Sequence, residues 1–118
     1  MSNSAVPRPL EYGAPISLER AKAVMAAAEA EARANDWPMV IAQEKARCAV
    51  NFKRPTKAIE EAVAQGGLNL RMLATPGMVP LEGGVPLISG GKIVGAIGVS
   101  GMRSNQDGQV AEAGAQAL

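Results

Sequence analysis

The chain has 118 residues, 47% of them hydrophobic but only 3% aromatic, with 12 Lys and Arg against 11 Asp and Glu for a net charge of +1. That length suits one domain with one core, filled by Ala, Val, Ile, Leu and Met because rings are so scarce. The two charge signs alternate, which excludes the concentrated basic surface that nucleic acid requires; no apolar run reaches membrane-spanning length, and a single cysteine, Cys48, allows no internal disulfide. A cytoplasmic setting is the expectation.

Residues 1–16 carry Pro7, Pro9 and Pro15 without a periodic apolar pattern, which predicts an extended arm ahead of a single domain over 17–118. Ser17 is a good N-cap, and Leu18, Ala21, Met25, Ala28 and Ala32 recur at three- and four-residue intervals, predicting a helix that stops at Asn35. Residues 37–41 then read as a short strand with Pro38 near its start. This strand runs without turn chemistry into Ala42-Gln43-Glu44-Lys45-Ala46-Arg47, which favours helix. The helix should turn Ala46, Ala49 and Val50 inward and end near Phe52, ahead of Lys53-Arg54-Pro55. Thr56 is placed to cap a further helix through Ile59, Ala62 and Val63, closed by Gly66-Gly67.

An apolar stretch at 70–73 and a Thr75-Pro76-Gly77 turn precede two strand-like runs, 85–88 and 92–99, around Ser89-Gly90-Gly91. Paired glycines there predict a tight hairpin, and Gly95 and Gly98 within the second strand predict a bulge or a close backbone approach. Ser104 and Asp107 have the spacing of a capping box, and Val110, Ala113, Ala117 and Leu118 give the last helix its expected apolar face.

The chain contains no histidine, which excludes a Ser-His-Asp triad and removes the commonest nitrogen ligand for zinc. Gly98-Val99-Ser100-Gly101 is not a nucleophile elbow, because Met102 stands where a second glycine is needed, and the Gly95, Gly98, Gly101 spacing matches neither a dinucleotide fingerprint nor a phosphate loop. No catalytic residue and no metal site is assigned. Glu82, in a stretch of low polarity beside Gly83-Gly84, fits a structural ion pair and a ligand contact equally. Asp107 reads as a helix-cap carboxylate, and Lys53-Arg54 as cations on a helix dipole that, with Thr56, also suit a ligand carboxylate. Cys48 and the six methionines read as core residues.

Four blocks in order, Ala42 to Arg47, Phe52-Lys53-Arg54-Pro55-Thr56, Glu82-Gly83-Gly84-Val85-Pro86-Leu87 and the glycine-rich run from Gly91 to Gly101, followed by Gln106-Asp107, resemble the haem-binding HbpS-like/GlcG family. A related domain follows the corrinoid adenosyltransferase domain of PduO-type proteins. The resemblance implies an α/β (α+β) profilin-like fold, an antiparallel sheet of about five strands flanked by helices and assembled as a homo-oligomer. It also implies a small-molecule ligand, with haem or another tetrapyrrole as the candidate cofactor, and a pocket or interface drawn from Lys53, Arg54, Thr56, Glu82, Gly83, Gly84, Ser100 and Gly101. The resemblance implies a first strand that continues through a glycine turn into a second strand before the Ala-Gln-Glu-Lys helix; that hairpin of roughly 20–30 residues has no counterpart between Val40 and Gln43, either because the protein is truly shortened there or because the sequence omits a stretch. Two other readings stand beside ligand binding: an accessory enzyme of small hydroxy-acid or diol metabolism using Glu82 as base and Arg54 as carboxylate clamp, and a structural oligomer without a ligand. The ligand reading requires Glu82 and the cationic Pro-Thr corner to share one recess.

Overall fold

The computed structural model describes residues 9–118. Its elements in chain order are α1 (Leu18–Ala34), β1 (Val40–Ile41), α2 (Gln43–Asn51), α3 (Thr56–Ala64), a 3₁₀ segment (Gly67–Ala74), β2 (Gly84–Ser89), β3 (Lys92–Ser100) and α4 (Ser104–Ala115). The predicted architecture is present: an antiparallel sheet, in the order β1-β3-β2, with helices on both faces. The sheet has three strands, fewer than the five or so that the resemblance implies.

At the β2–β3 hairpin Gly90 and Gly91 both have positive φ, 58° and 73°, the conformation that a two-residue turn of matching twist demands. The register runs from Gly84↔Gly98 to Leu87↔Gly95 and resumes at Ile88↔Ile93, which leaves Val94 as the extra residue of a bulge beside Gly95. Odd-numbered strand residues Val85, Leu87, Ile97 and Val99 face α1 and α4, where they join Val24, Ala28, Ala32, Val110 and Ala111 in the core. The other face carries Gly84 and Gly98 and receives α2 at close range. A Cβ on Gly98 would overlap the Ala42 carbonyl and the Ala46 amide, so the absence of a side chain sets how near α2 lies.

The unusual junction is resolved by Ala42, whose N–H donates to Gly98 O as the last strand bond while its C=O accepts from Ala46 N to open α2. Helices α1 and α2 then end alike. Trp37 N bonds Ala32 O and Asp36 N bonds Arg33 O; Arg54 N bonds Ala49 O and Lys53 N bonds Val50 O. Both are Schellman motifs followed by proline, with Asp36 and Lys53 held at φ 57° and 54° where glycine is usual.

The described part of the predicted arm lies along β3, with Ile93 N bonded to Glu11 O, Gly13 N to Ile93 O and Ile16 N to Val94 O. Pro7 lies outside the described residues. Among those residues no helix is long and apolar enough to cross a membrane.

Several expectations shift. The buried stripe of α1 is Val24, Ala28 and Ala32, while Leu18 and Met25 are exposed. Residues 37–41 form a strand only at Val40–Ile41, because the Schellman turn and Pro38 occupy the start. The face of α2 buries Lys45, Cys48 and Ala49, and the 70–73 stretch is an exposed part of the 3₁₀ segment. Thr56 does not cap α3, since Pro55 takes that position and the hydroxyl is used elsewhere. In α4 the cap falls on Arg103, whose N–H donates to Gln106 Oε1, and the buried positions are Asp107, Gly108, Val110, Ala111 and Gly114.

Candidate ligand site

Lys45 is the charged residue that the sequence reading left out. Its stem passes Gly83 and its ammonium donates to Val99 O and to Asp107 Oδ2, both at 3.0 Å, with side-chain exposures of only 7% and 3% for the ion pair. Asp107 Oδ1 accepts from Met102 N at 2.9 Å. Asp107 therefore joins a loop-amide acceptor role, close to the expected helix-cap one, to a buried ion pair that ties α2 to α4 across the end of the sheet. Gly83, at φ 131°, lies against this bolt: a Cβ there would stand 2.8 Å from the Lys45 ammonium and 2.5 Å from Val99 O. The signal for Lys45 was present in the spacing, since it shares a helical face with Cys48, Ala49 and Phe52.

The Pro-Thr corner and the glycine-flanked segment do meet. Buried Thr56 accepts from Gly84 N at 2.9 Å, and Glu60 Oε1 on the next turn of α3 accepts from Glu82 N at 3.1 Å. The Glu82 carboxyl lies over Gly108 of α4, where a Cβ would overlap it. Burial pushes that carboxyl above its ordinary value; Lys57 pulls the other way, and Glu60, Glu61 and Asp107 add to the rise. Arg54 does not join it: its Nε donates to Phe52 O at 2.8 Å, and no ion pair links it to Glu82 among the described residues.

Lys53 points to a separate recess of about 310 Å³ on the surface. Pro55, Val85, Pro86, Ile88, Ile93 and Leu10 give it apolar walls, and Glu112 and Gln116 of α4 close one side. The Lys53 ammonium sits 4.4 Å over the ring of Tyr12, whose hydroxyl donates to Val50 O at 2.7 Å. Two neighbouring elements thus fix a cation at the rim of an apolar surface. Glu82, Gly83 and Gly84 belong to the packed knot behind it and do not line it, so the single recess expected of Glu82 and the cationic Pro-Thr corner is not formed: Lys53 and Pro55 line a recess that Glu82 does not reach.

A second recess, about 360 Å³, lies between α1 and the β1 edge and is lined by Met25, Arg33, Trp37, Met39, Ile41, Ile97 and Val99 among others. Ser100, paired with Val40, and Gly101, packed against Pro38 and Met39, stand beside it. The residues proposed from sequence therefore divide among a recess rim, a structural knot and the far end of the sheet. Tyr12 is one of the side chains the sequence offers as a substitute iron ligand, but its place beside Lys53 was not foreseen, and Glu112 and the apolar walls were missed, because only the fold brings them there.

The family model described as Haem degrading protein HbpS-like matches residues 39–116. Protein GlcG of Escherichia coli K12 is 37% identical over 110 residues, covering 72% of this chain and 81% of that one. Since 72% of 118 residues is about 85, about 25 of the 110 aligned positions face no residue here. Among solved structures, Klebsiella pneumoniae protein ORFY superimposes with a TM-score of 0.80 at 22% identity, covering 95% of this chain and 96% of that chain. The crystal structure of HbpS gives 0.75 at 26% identity, over 96% and 98%. A PduOC:heme complex gives 0.76 at 22% identity, over 88% and 95%.

Proposed function

The chain belongs to the HbpS-like family, and from that premise we propose that it binds a haem-type tetrapyrrole, or a similar flat apolar ligand bearing carboxylates, at the Lys53 recess. The observation that carries this reading is the combination of apolar walls from β2, β3 and Pro55 with a single fixed cation at the rim. The walls suit the face of a macrocycle, and Lys53 suits a propionate through a charge-assisted hydrogen bond. In a chain without histidine, the Tyr12 phenol beneath the Lys53 ammonium is a candidate oxygen ligand of a type that haem iron accepts. Bound haem would supply a redox-active iron; the chain's own residues supply the surface, the charge and that oxygen. The solved haem complex on the same fold supports the choice of ligand class.

Lys53 sits in the left-handed region, as Asp36 does at the equivalent end of α1, where a non-glycine residue costs about 1 kcal/mol or more. The accessory-enzyme reading needs Arg54 to face Glu82, and Arg54 is instead turned back on Phe52 O. The ligand reading is the better supported one.

Haemin titration followed at the Soret band tests it. A saturable shift is expected, weakened about tenfold or more by Lys53→Glu, because a hydrogen bond to a charged group contributes about 1.5–3 kcal/mol. A linear, non-saturating response, or equal binding by Lys53→Glu, would refute the proposal.

A further inference from the structure

We propose that β1 is a self-association edge, through which two copies of this chain join their sheets antiparallel across a two-fold axis at Val40. The contact gives the expected homo-oligomer a defined surface and is independent of the ligand: haemin binding can fail while the dimer stands.

Backbone alternation carries the inference. Ala42 N bonds Gly98 O and Val40 pairs with Ser100, so the N–H of Ala42 and the N–H and C=O of Val40 point toward β3. Those of Met39 and Ile41 therefore point away from it, and β1 is the outer strand of the sheet. Pro38 has no N–H and ends the pairable edge. Val40 and Ile41 are 66% and 64% exposed, a high value for two adjacent β-branched residues on an edge strand that itself carries no charge. Among the described residues no strand lies beyond this edge.

A second copy fits for a reason of symmetry. With the axis at Val40, Met39 of each chain lies opposite Ile41 of the other, and both pairs exchange N–H to C=O bonds. Ile41 shares the Val99 face of the sheet, so each partner's Ile41 extends the apolar layer beside Trp37 and Met39. On that face α1 exposes an adjacent anion and cation, Glu29 and Arg33, at 57% and 79%. A two-fold axis sets such a mixed pair against its own copy with charges reversed, which is the complementarity an isologous contact needs.

Sedimentation of the full chain between about 5 and 100 µM is expected to show a species of twice the 12.1 kDa monomer mass. Val40→Cys places two sulfurs at a non-hydrogen-bonded antiparallel pair, with Cα atoms about 4.5 Å apart, so mild oxidation should link it as a dimer. Ile88→Cys, exposed on the opposite edge, should not link, and Cys48 is fully buried and cannot interfere. Val40→Lys, at an exposed position that leaves the fold intact by circular dichroism, should weaken the dimer at least tenfold. A monomer at the highest concentration, equal cross-linking of the two cysteine variants, or an undiminished Val40→Lys dimer would each overturn the proposal.

Discussion

Replacing Lys45 by Met removes the ammonium while keeping a stem of similar volume, so the cavity contribution is small and the charge effect is isolated. Asp107 keeps its Met102 amide but is left as a carboxylate with 3% side-chain exposure and no cation, and Val99 O loses its donor. Breaking one side of a buried pair costs about 3–5 kcal/mol. At roughly 2.1 cal/mol/K per residue, the 118-residue chain has an unfolding entropy of about 0.25 kcal/mol/K, so Tm should fall by about 12–20 °C. Urea unfolding followed by the fluorescence of Trp37, the single tryptophan, measures this directly. Adding Asp107→Asn neutralises the orphaned charge and still accepts from Met102 N, so the double variant should recover part of the loss. A single variant within about 1 kcal/mol of the parent, or a double variant no better than the single, would refute a buried clasp.

Lys53→Gly relieves the left-handed strain at the end of α2 and should raise stability by about 1 kcal/mol while weakening haemin binding; urea titration and Soret titration on one preparation separate the two effects. Gly98→Ala drives a methyl into the Ala42 and Ala46 backbone and should cost about 3 kcal/mol or more, whereas Gly108→Ala meets only the movable Glu82 side chain and should cost far less, its clash offset by better helix propensity. Glu82→Gln tests the raised carboxyl. Because folding favours the neutral acid, this group's contribution is fully present below its unfolded pKa and is lost as pH rises through the higher folded value, so the variant should gain on the parent between pH 4 and pH 7. A gap that stays constant or narrows over that range contradicts the assignment.

The sequence exposed most of the scaffold because local chemistry agreed with tertiary structure there. Gly90-Gly91 specified the hairpin, and Ser17 and Asn35 bracketed α1. Boundaries slipped where a backbone motif outranked periodicity: the Schellman turn after Asn35, with Pro38, took three of the five expected strand residues. The site was less legible. Thr56 looked like a cap because its hydroxyl has that chemistry, but the nearer demand was the Gly84 amide of a strand 28 residues away. Lys45 and Asp107, 62 positions apart, pair only because Gly83 lets the lysine stem cross the end of the sheet. Tyr12 reaches Lys53 through arm pairing with β3, for which the first sixteen residues carry no periodic signal.

The claim that the Lys53 recess holds the ligand is tested most directly by amide chemical-shift mapping with gallium protoporphyrin, a diamagnetic substitute for haem. The account predicts saturable shifts concentrated at Leu10, Tyr12, Lys53, Val85, Ile88, Ile93 and Glu112. Shifts clustered at Met25, Trp37 and Ile41, or none that saturate, would contradict it.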